Sequence, residues 1–266
     1  MAKKLKVKDL VKYLNNNIPI RINSINIIFF WLEFNRYYIL SWILFFLRPQ
    51  QIPTIINEKI KDLIKPMKYG IFSGGKRFRS AILINTGKIF GVDYKKLIIV
   101  GAAIECIHSY SLIHDDLPCM DDDDVRRGRP STHKEFGEAT AVLAADALLS
   151  LSFEILATDR SFGATDTNNA SLIALISSAT GSKGITGGQQ LDLNAEVKII
   201  SQSELEHIYR QKTGKLLRAC VLAPTCFINI SLEQMSALEI YIDLIGLAFQ
   251  IRDDILEAEG STEIIG

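Results

Sequence analysis

Apolar residues fall along this chain in long blocks rather than in alternation. Residues 97–114, LIIVGAAIECIHSYSLIH, are apolar for about five helical turns. Residues 138–158, EATAVLAADALLSLSFEILAT, are rich in Ala and Leu with small polar interruptions. Residues 203–222 and 232–257 carry apolar side chains at three- and four-residue spacing, the period of a helix face. No segment alternates with period two for long enough to predict a strand. Breakers separate the blocks: FSGGKRF at 72–78, the stretch 117–131, SFGATDTNNAS at 161–171 and TGG at 186–188. The pattern predicts an all-α, single-domain bundle of antiparallel helices, with the helices that are apolar nearly all round at its centre.

One block is harder to place. Residues 25–47 are strongly apolar, but their uninterrupted part, 37–47, is too short to span a bilayer as a helix. A longer span would put Glu33, Asn35 and Arg36 in mid-membrane, at roughly 2.5–3.5 kcal/mol for each charge. The expectation is a buried or oligomer-facing helix, without stable membrane insertion.

Composition sharpens this picture at three points. The 266 residues are 48% hydrophobic, enough for one sizeable core. Lys+Arg and Asp+Glu balance at 30 each, which argues against nucleic acid as the main partner, because binding its backbone needs a net basic surface. The cysteines Cys106, Cys119, Cys220 and Cys226 form no CxxC pair, and two sit in apolar, helix-like segments. That usage, with a basic N-terminus that lacks a signal peptide's apolar core, predicts a reduced, cytoplasmic protein.

The charges then cluster. Six aspartates lie between positions 115 and 124, and Arg126, Arg127 and Arg129 follow at once. Pro118 should end the helix that begins near residue 97, leaving Asp115 and Asp116 at its C-terminus, where the helix dipole disfavours negative charge. An acidic run is usually a solvated turn, but this one ends a helix with an apolar core-like surface. Carboxylates so placed must be paired, protonated or metal-bound, and an all-oxygen ligand set suits a hard cation such as Mg²⁺. The segment LAFQIRDDILEAEG repeats the arrangement with Asp253, Asp254 and Glu257, which fall within about 100° of one helix arc. Basic counterparts are Lys76, Arg77 and Arg79 in GGKRFR, Arg126 and Arg127 in RRGR, and Lys212 beside Thr213 in YRQKTGK. Two acidic and three basic clusters are the equipment that diphosphate chemistry needs: cations to neutralise a leaving pyrophosphate, and a separate Arg/Lys pocket for a second diphosphate.

In order and spacing, GGKRFR, HSYSLIHDDLPCMDDDDVRRGRP, GGQQLDL, YRQKTGKL and GLAFQIRDDIL resemble the trans-isoprenyl diphosphate synthases, with the bacterial farnesyl diphosphate synthases as the nearest likeness. The resemblance covers roughly residues 61–266 and leaves 1–60 as an unplaced N-terminal extension. It implies a helical bundle around a central cleft, a homodimer, and condensation of isopentenyl diphosphate with an allylic diphosphate, dimethylallyl or geranyl. It implies three Mg²⁺, with Mn²⁺ as the alternative, held by Asp115, Asp116 and Asp121 on one side and Asp253 and Asp254 on the other. Lys76, Arg79, His108 and Arg127 match positions that hold isopentenyl diphosphate. Arg126, Lys212, Thr213 and Gln250 match the allylic side, and Lys212 and Thr213 also match groups that steady the developing cation. Arg77 matches a basic position of less definite role, while His114, His133 and His207 are left as structural or solvent-facing.

Tyr110 stands five residues before Asp115, about 7.5 Å up the helix axis, where a bulky ring would floor the pocket for a growing chain. Three departures from the family pattern stand out: Glu257 for a third Asp, Ser80 for a proline, and Ala145 for a glycine. The sequence stops at Gly266, before a lysine of the family pattern and its final helices, so an impaired homologue or partner subunit is a rival expectation. A geranylgeranyl diphosphate synthase and a class I terpene cyclase are the others.

Overall fold

The computed structural model describes residues 54–158, 166–196 and 200–259; the apolar stretch 25–47 lies outside the described residues. The chain opens there with α1 (Thr54–Ile71), which crosses the expected boundary at residue 60 and runs through Pro66. Helices α2 (Phe78–Ile89) and α3 (Tyr94–Asp115) follow, then a two-residue hairpin, β1 (Val125–Arg126) with β2 (Arg129–Pro130). The rest is helical: α4 (Thr132–Phe136), α5 (Glu138–Thr158), α6 (Asp166–Thr180), α7 (Ile185–Glu196), α8 (Gln202–Tyr209), α9 (Lys215–Leu222) and α10 (Leu232–Glu259).

Helix α3 is the centre, as its apolar surface predicts. Asp93 caps it by accepting from the Lys95 backbone N–H at 2.7 Å, and its buried residues run from Leu97 to Ile113 on every face. It packs against α1, α2 and α5, while α9 packs against α2, α6 and α10. Two described helices, Tyr94–Asp115 and Glu138–Ala157, are long and apolar enough to cross a membrane. In the first, 72% of the apolar window is buried inside the fold, the mark of a core helix. The second leaves Val142 and Leu143 on an outward face. Cys106 and Cys220 are buried, and all four cysteines are free thiols.

Four local readings need correction. The breaker at 161–171 overlaps α6, which already begins at Asp166. The TGG at 186–188 does not break a helix but lies within α7. Its glycines serve close packing: a Cβ on Gly188 would fall on the Lys212 backbone nitrogen. Residues 203–222 are not one regular helix, because a π-helical turn, Arg210–Gly214, separates α8 from α9. One extra residue in a turn leaves the apolar spacing on either side intact, so periodicity does not register it. The 117–131 breaker, finally, contains the short hairpin, which is too brief to show alternation.

Candidate active site

Four distant segments meet at the C-terminal end of α3. The helix stops at Asp115, with Asp116 as its C-cap and Pro118 just beyond. The chain then turns back so that the Asp121 N–H donates to the Asp115 carbonyl at 2.9 Å. Asp115 is half-buried: desolvation pushes its carboxyl up to about 7, against the pull of Lys212 and with a further push from Asp121. Asp116 is different in kind. It is 2% exposed and accepts from Arg126 Nε at 2.8 Å and from Arg126 Nη2, which also reaches Asp123 Oδ2 at 2.9 Å. Asp115 and Asp121 thus act on Lys212, while Asp116 holds Arg126 of the hairpin.

The basic rim is built by the GGKRF loop and the hairpin. Arg127, at φ 54°, donates through Nη1 to the Gly74 carbonyl at 2.8 Å, and its guanidinium lies where a Cβ on Gly75 would sit. Burial first, and then Arg77, lower its pKa to about 10. Arg79 Nη1 donates to His108 Nε2 at 3.2 Å. Arginine can only donate, so that ring nitrogen accepts and the proton sits on Nδ1. Burial and four surrounding arginines, Arg79 foremost, hold the His108 pKa well below its ordinary value, so the imidazole stays neutral. Lys76 is exposed beside them. Cations crowded together in partial burial make a site for an anion.

Arg77, from the same loop, turns the other way. It is buried against Glu105 of α3, with Nη1 2.8 Å from Oε2, and it also donates to the Ile71 carbonyl. Ser80, where the family pattern has proline, donates to the other Glu105 oxygen at 2.7 Å. Arg77 is thus a strut of the fold rather than part of the anion pocket.

The π-helical turn supplies the third wall. Lys212 Nζ lies 2.6 Å from Asp192 Oδ2 of α7. Burial works against its charge, but the Asp192 bond and the fields of Asp115 and Asp121 outweigh it and raise its pKa. Thr213 Oγ1 donates to Gln250 Oε1 of α10 at 2.8 Å. Phe249 stacks on Phe78 with centroids 5.4 Å apart, tying α10 to the start of α2. Asp253 and Asp254 follow on α10, one turn past Gln250; their side chains lie outside the described residues. Tyr110 is half-buried on α3, its ring edge-on to His114 at 5.0 Å.

Asp192 and Glu105 were not singled out in the sequence, although both left a trace. Asp192 stands in GGQQLDL, and Glu105 is the one charge inside an apolar run. Gln189, in the same motif, is buried with neither amide atom hydrogen-bonded among the described residues.

The comparisons with known proteins agree with this fold. The sequence pattern of the family Polyprenyl synthetase matches residues 60–266. A farnesyl diphosphate synthase of Bacillus subtilis (strain 168) is 47% identical over 216 residues, 80% of this chain and 73% of its own. One from Escherichia coli (strain K12) is 47% identical over 233 residues, 82% of this chain and 78% of its own. Among solved structures, an FPP/GFPP synthase from Zymomonas mobilis superposes with a TM-score of 0.78 at 37% identity, covering 85% of this chain and 81% of that one. Fold, motif order and site geometry lead to one conclusion: this chain belongs to the polyprenyl synthetase family.

Proposed function

We propose that the protein condenses isopentenyl diphosphate with an allylic diphosphate, dimethylallyl or geranyl, to give farnesyl diphosphate and pyrophosphate. One observation carries the reading: Asp115 and Asp121 act together on Lys212, from the distant π-helical turn, while Arg79 and Arg127 crowd around His108 on α3, the helix that ends at Asp115. Farnesyl diphosphate synthases among the relatives at 47% identity support the product.

The carboxylates present fit a hard divalent cation. Asp115 and Asp121 offer oxygen only and act on the same lysine, and Asp253 and Asp254 follow Gln250 on the facing helix. Mg²⁺ held by these residues supplies charge neutralisation for the allylic diphosphate as it leaves. Arg126, oriented by Asp116 and Asp123, and Lys212, oriented by Asp192, add fixed positive charge on that side. The allylic C1–O bond breaks and its electron pair departs with pyrophosphate. Thr213, fixed by Gln250, turns an oxygen dipole toward the developing carbocation. Lys76, Arg79 and Arg127 hold the second diphosphate, and neutral His108 keeps Arg79 in place. The isopentenyl double bond attacks C1, and a proton passes to the released pyrophosphate.

The test is direct. Purified protein with Mg²⁺, isopentenyl diphosphate and dimethylallyl diphosphate should yield a C15 diphosphate. A cyclic hydrocarbon, or no prenyl product at all, would reject the reading in favour of a cyclase or an inactive partner subunit. Chain length rests on Tyr110: Tyr110→Ala should shift the product distribution from C15 to C20 and longer by mass spectrometry. An unchanged C15 profile would remove Tyr110 as the pocket floor.

A second copy of the chain is the partner we propose for α5. Its outward face leaves Leu143 58% exposed and Val142 beside it, in a helix whose apolar window is only 39% buried.

A further inference from the structure

The aspartates that follow the first motif point elsewhere. Asp121 acts on Lys212 in the cleft, whereas Asp124 pairs with Lys134 at 2.7 Å and Asp122 also acts on Lys134. Carboxylate oxygens of Asp122 and Asp124 and a ring nitrogen of His133 all lie within 4.8 Å of one another. An exposed acidic pair alone would be a solvated turn. His133 makes the difference. It is 6% exposed, and its Nε2 is buried with no hydrogen-bond partner among the described residues. A buried polar atom left so is costly unless something binds it. Its other nitrogen, Nδ1, lies 3.1 Å from Ser131 Oγ. In the tautomer with its proton on Nδ1, the Ser131 hydroxyl accepts from Nδ1–H and the Nε2 lone pair is free, the outer-shell arrangement usual for a metal-ligating histidine.

We propose that Asp122, Asp124 and His133 form a second divalent-metal site, separate from the carboxylates of the cleft, that takes a transition metal such as Zn²⁺ or Mn²⁺. One imidazole nitrogen and two carboxylate oxygens suit such ions, with water completing the shell, while Mg²⁺ prefers oxygen alone. Ligand atoms around one such ion stand roughly 3–4 Å apart, so small rotations of two exposed carboxylates close the set. Asp122 and Asp124 precede the hairpin and His133 follows it, so an ion here ties together the two ends of the segment that carries Arg126 and Arg127. The site is structural, and its occupancy is independent of whether the cleft performs prenyl transfer.

The test uses the whole chain carrying Asp115→Asn and Asp121→Asn, so that the first motif of the cleft does not compete, with no diphosphate present. Co²⁺ is the optical probe and Zn²⁺ the calorimetric one. One equivalent of each should bind, with visible Co²⁺ bands and a rise in melting temperature. Adding Asp122→Asn with Asp124→Asn, both at exposed positions and compatible with folding by circular dichroism, should weaken binding at least tenfold and abolish the temperature shift. Absence of stoichiometric binding would overturn the proposal, as would binding unchanged by the Asp122/Asp124 pair. Displacement of Co²⁺ by equimolar Mg²⁺ would also overturn it, because that identifies an all-oxygen site.

Discussion

Asp115→Asn lowers prenyl transfer by about a thousandfold and, in the absence of metal above pH 7, makes the protein more stable. Both effects come from one fact: a carboxyl group held at a helix C-terminus, half out of water, beside Asp121 and Asp116. Desolvation outweighs the attraction of Lys212 and lifts its pKa to about 7. The sign follows from linkage. A carboxyl whose folded pKa exceeds its unfolded value stabilises the fold most at low pH, and that contribution is lost as pH rises through about 7. Asparagine removes the charge, so the metal-free variant should gain on the order of 1 kcal/mol at pH 8, a melting shift of about 2–4 °C, and should match the parent only below about pH 4, where the carboxyl is protonated in both the folded and the unfolded chain. A cation reverses the balance, because only the carboxylate binds it. Metal affinity should therefore rise with pH across the same interval, with release of a proton. The activity loss is on the scale of removing one group that stabilises developing charge. A variant within tenfold of the parent kcat, or less stable than the parent at pH 8 without metal, would show that Asp115 is an ordinary helix-end residue.

Much of this site was legible because its signals are local. Pro118 marks the end of α3, and the structure stops the helix at Asp115. The apolar run 97–114 announces a central helix, and α5 occupies the 138–158 block residue for residue. Other features depend on partners distant in sequence. The turn bearing Lys212 and Thr213 is π-helical, and it packs its backbone on Gly188, a glycine that read as a breaker. The division of labour within Asp115-Asp116 was also hidden. Neighbouring helix-end residues point in different directions, and only the return of the hairpin shows that Asp116 meets Arg126. The GGKRFR segment divides likewise: Arg79 reaches His108, while Arg77 enters the core. No spacing rule distinguishes Arg77 from Arg79, since the difference is set by Glu105, 28 residues away.

That buried pair carries the largest stability prediction. Arg77 and Glu105 have side-chain exposures of 3% and 1%, and Glu105 is surrounded by the apolar residues of α3. Both carboxylate oxygens are satisfied, Oε2 by Arg77 and Oε1 by Ser80. Arg77→Ala strands the Glu105 charge in the core and should destabilise the protein by about 3–5 kcal/mol in chemical denaturation. It should also raise KM for isopentenyl diphosphate. The same guanidinium bonds the Ile71 carbonyl, so its loss frees the loop that leads to Lys76 and Arg79. The loss comes from the uncompensated charge rather than from the missing contact, so removing both charges should be mild. Arg77→Met combined with Glu105→Leu should recover most of the stability lost in either single variant. Ser80→Ala, which leaves Arg77 in place and removes one hydrogen bond to the carboxylate, should fall between them at roughly 1–3 kcal/mol. Equal destabilisation by the double variant and by Arg77→Ala would mean that the loop needs the guanidinium itself. A single-variant loss below about 1 kcal/mol would mean that water already reaches Glu105.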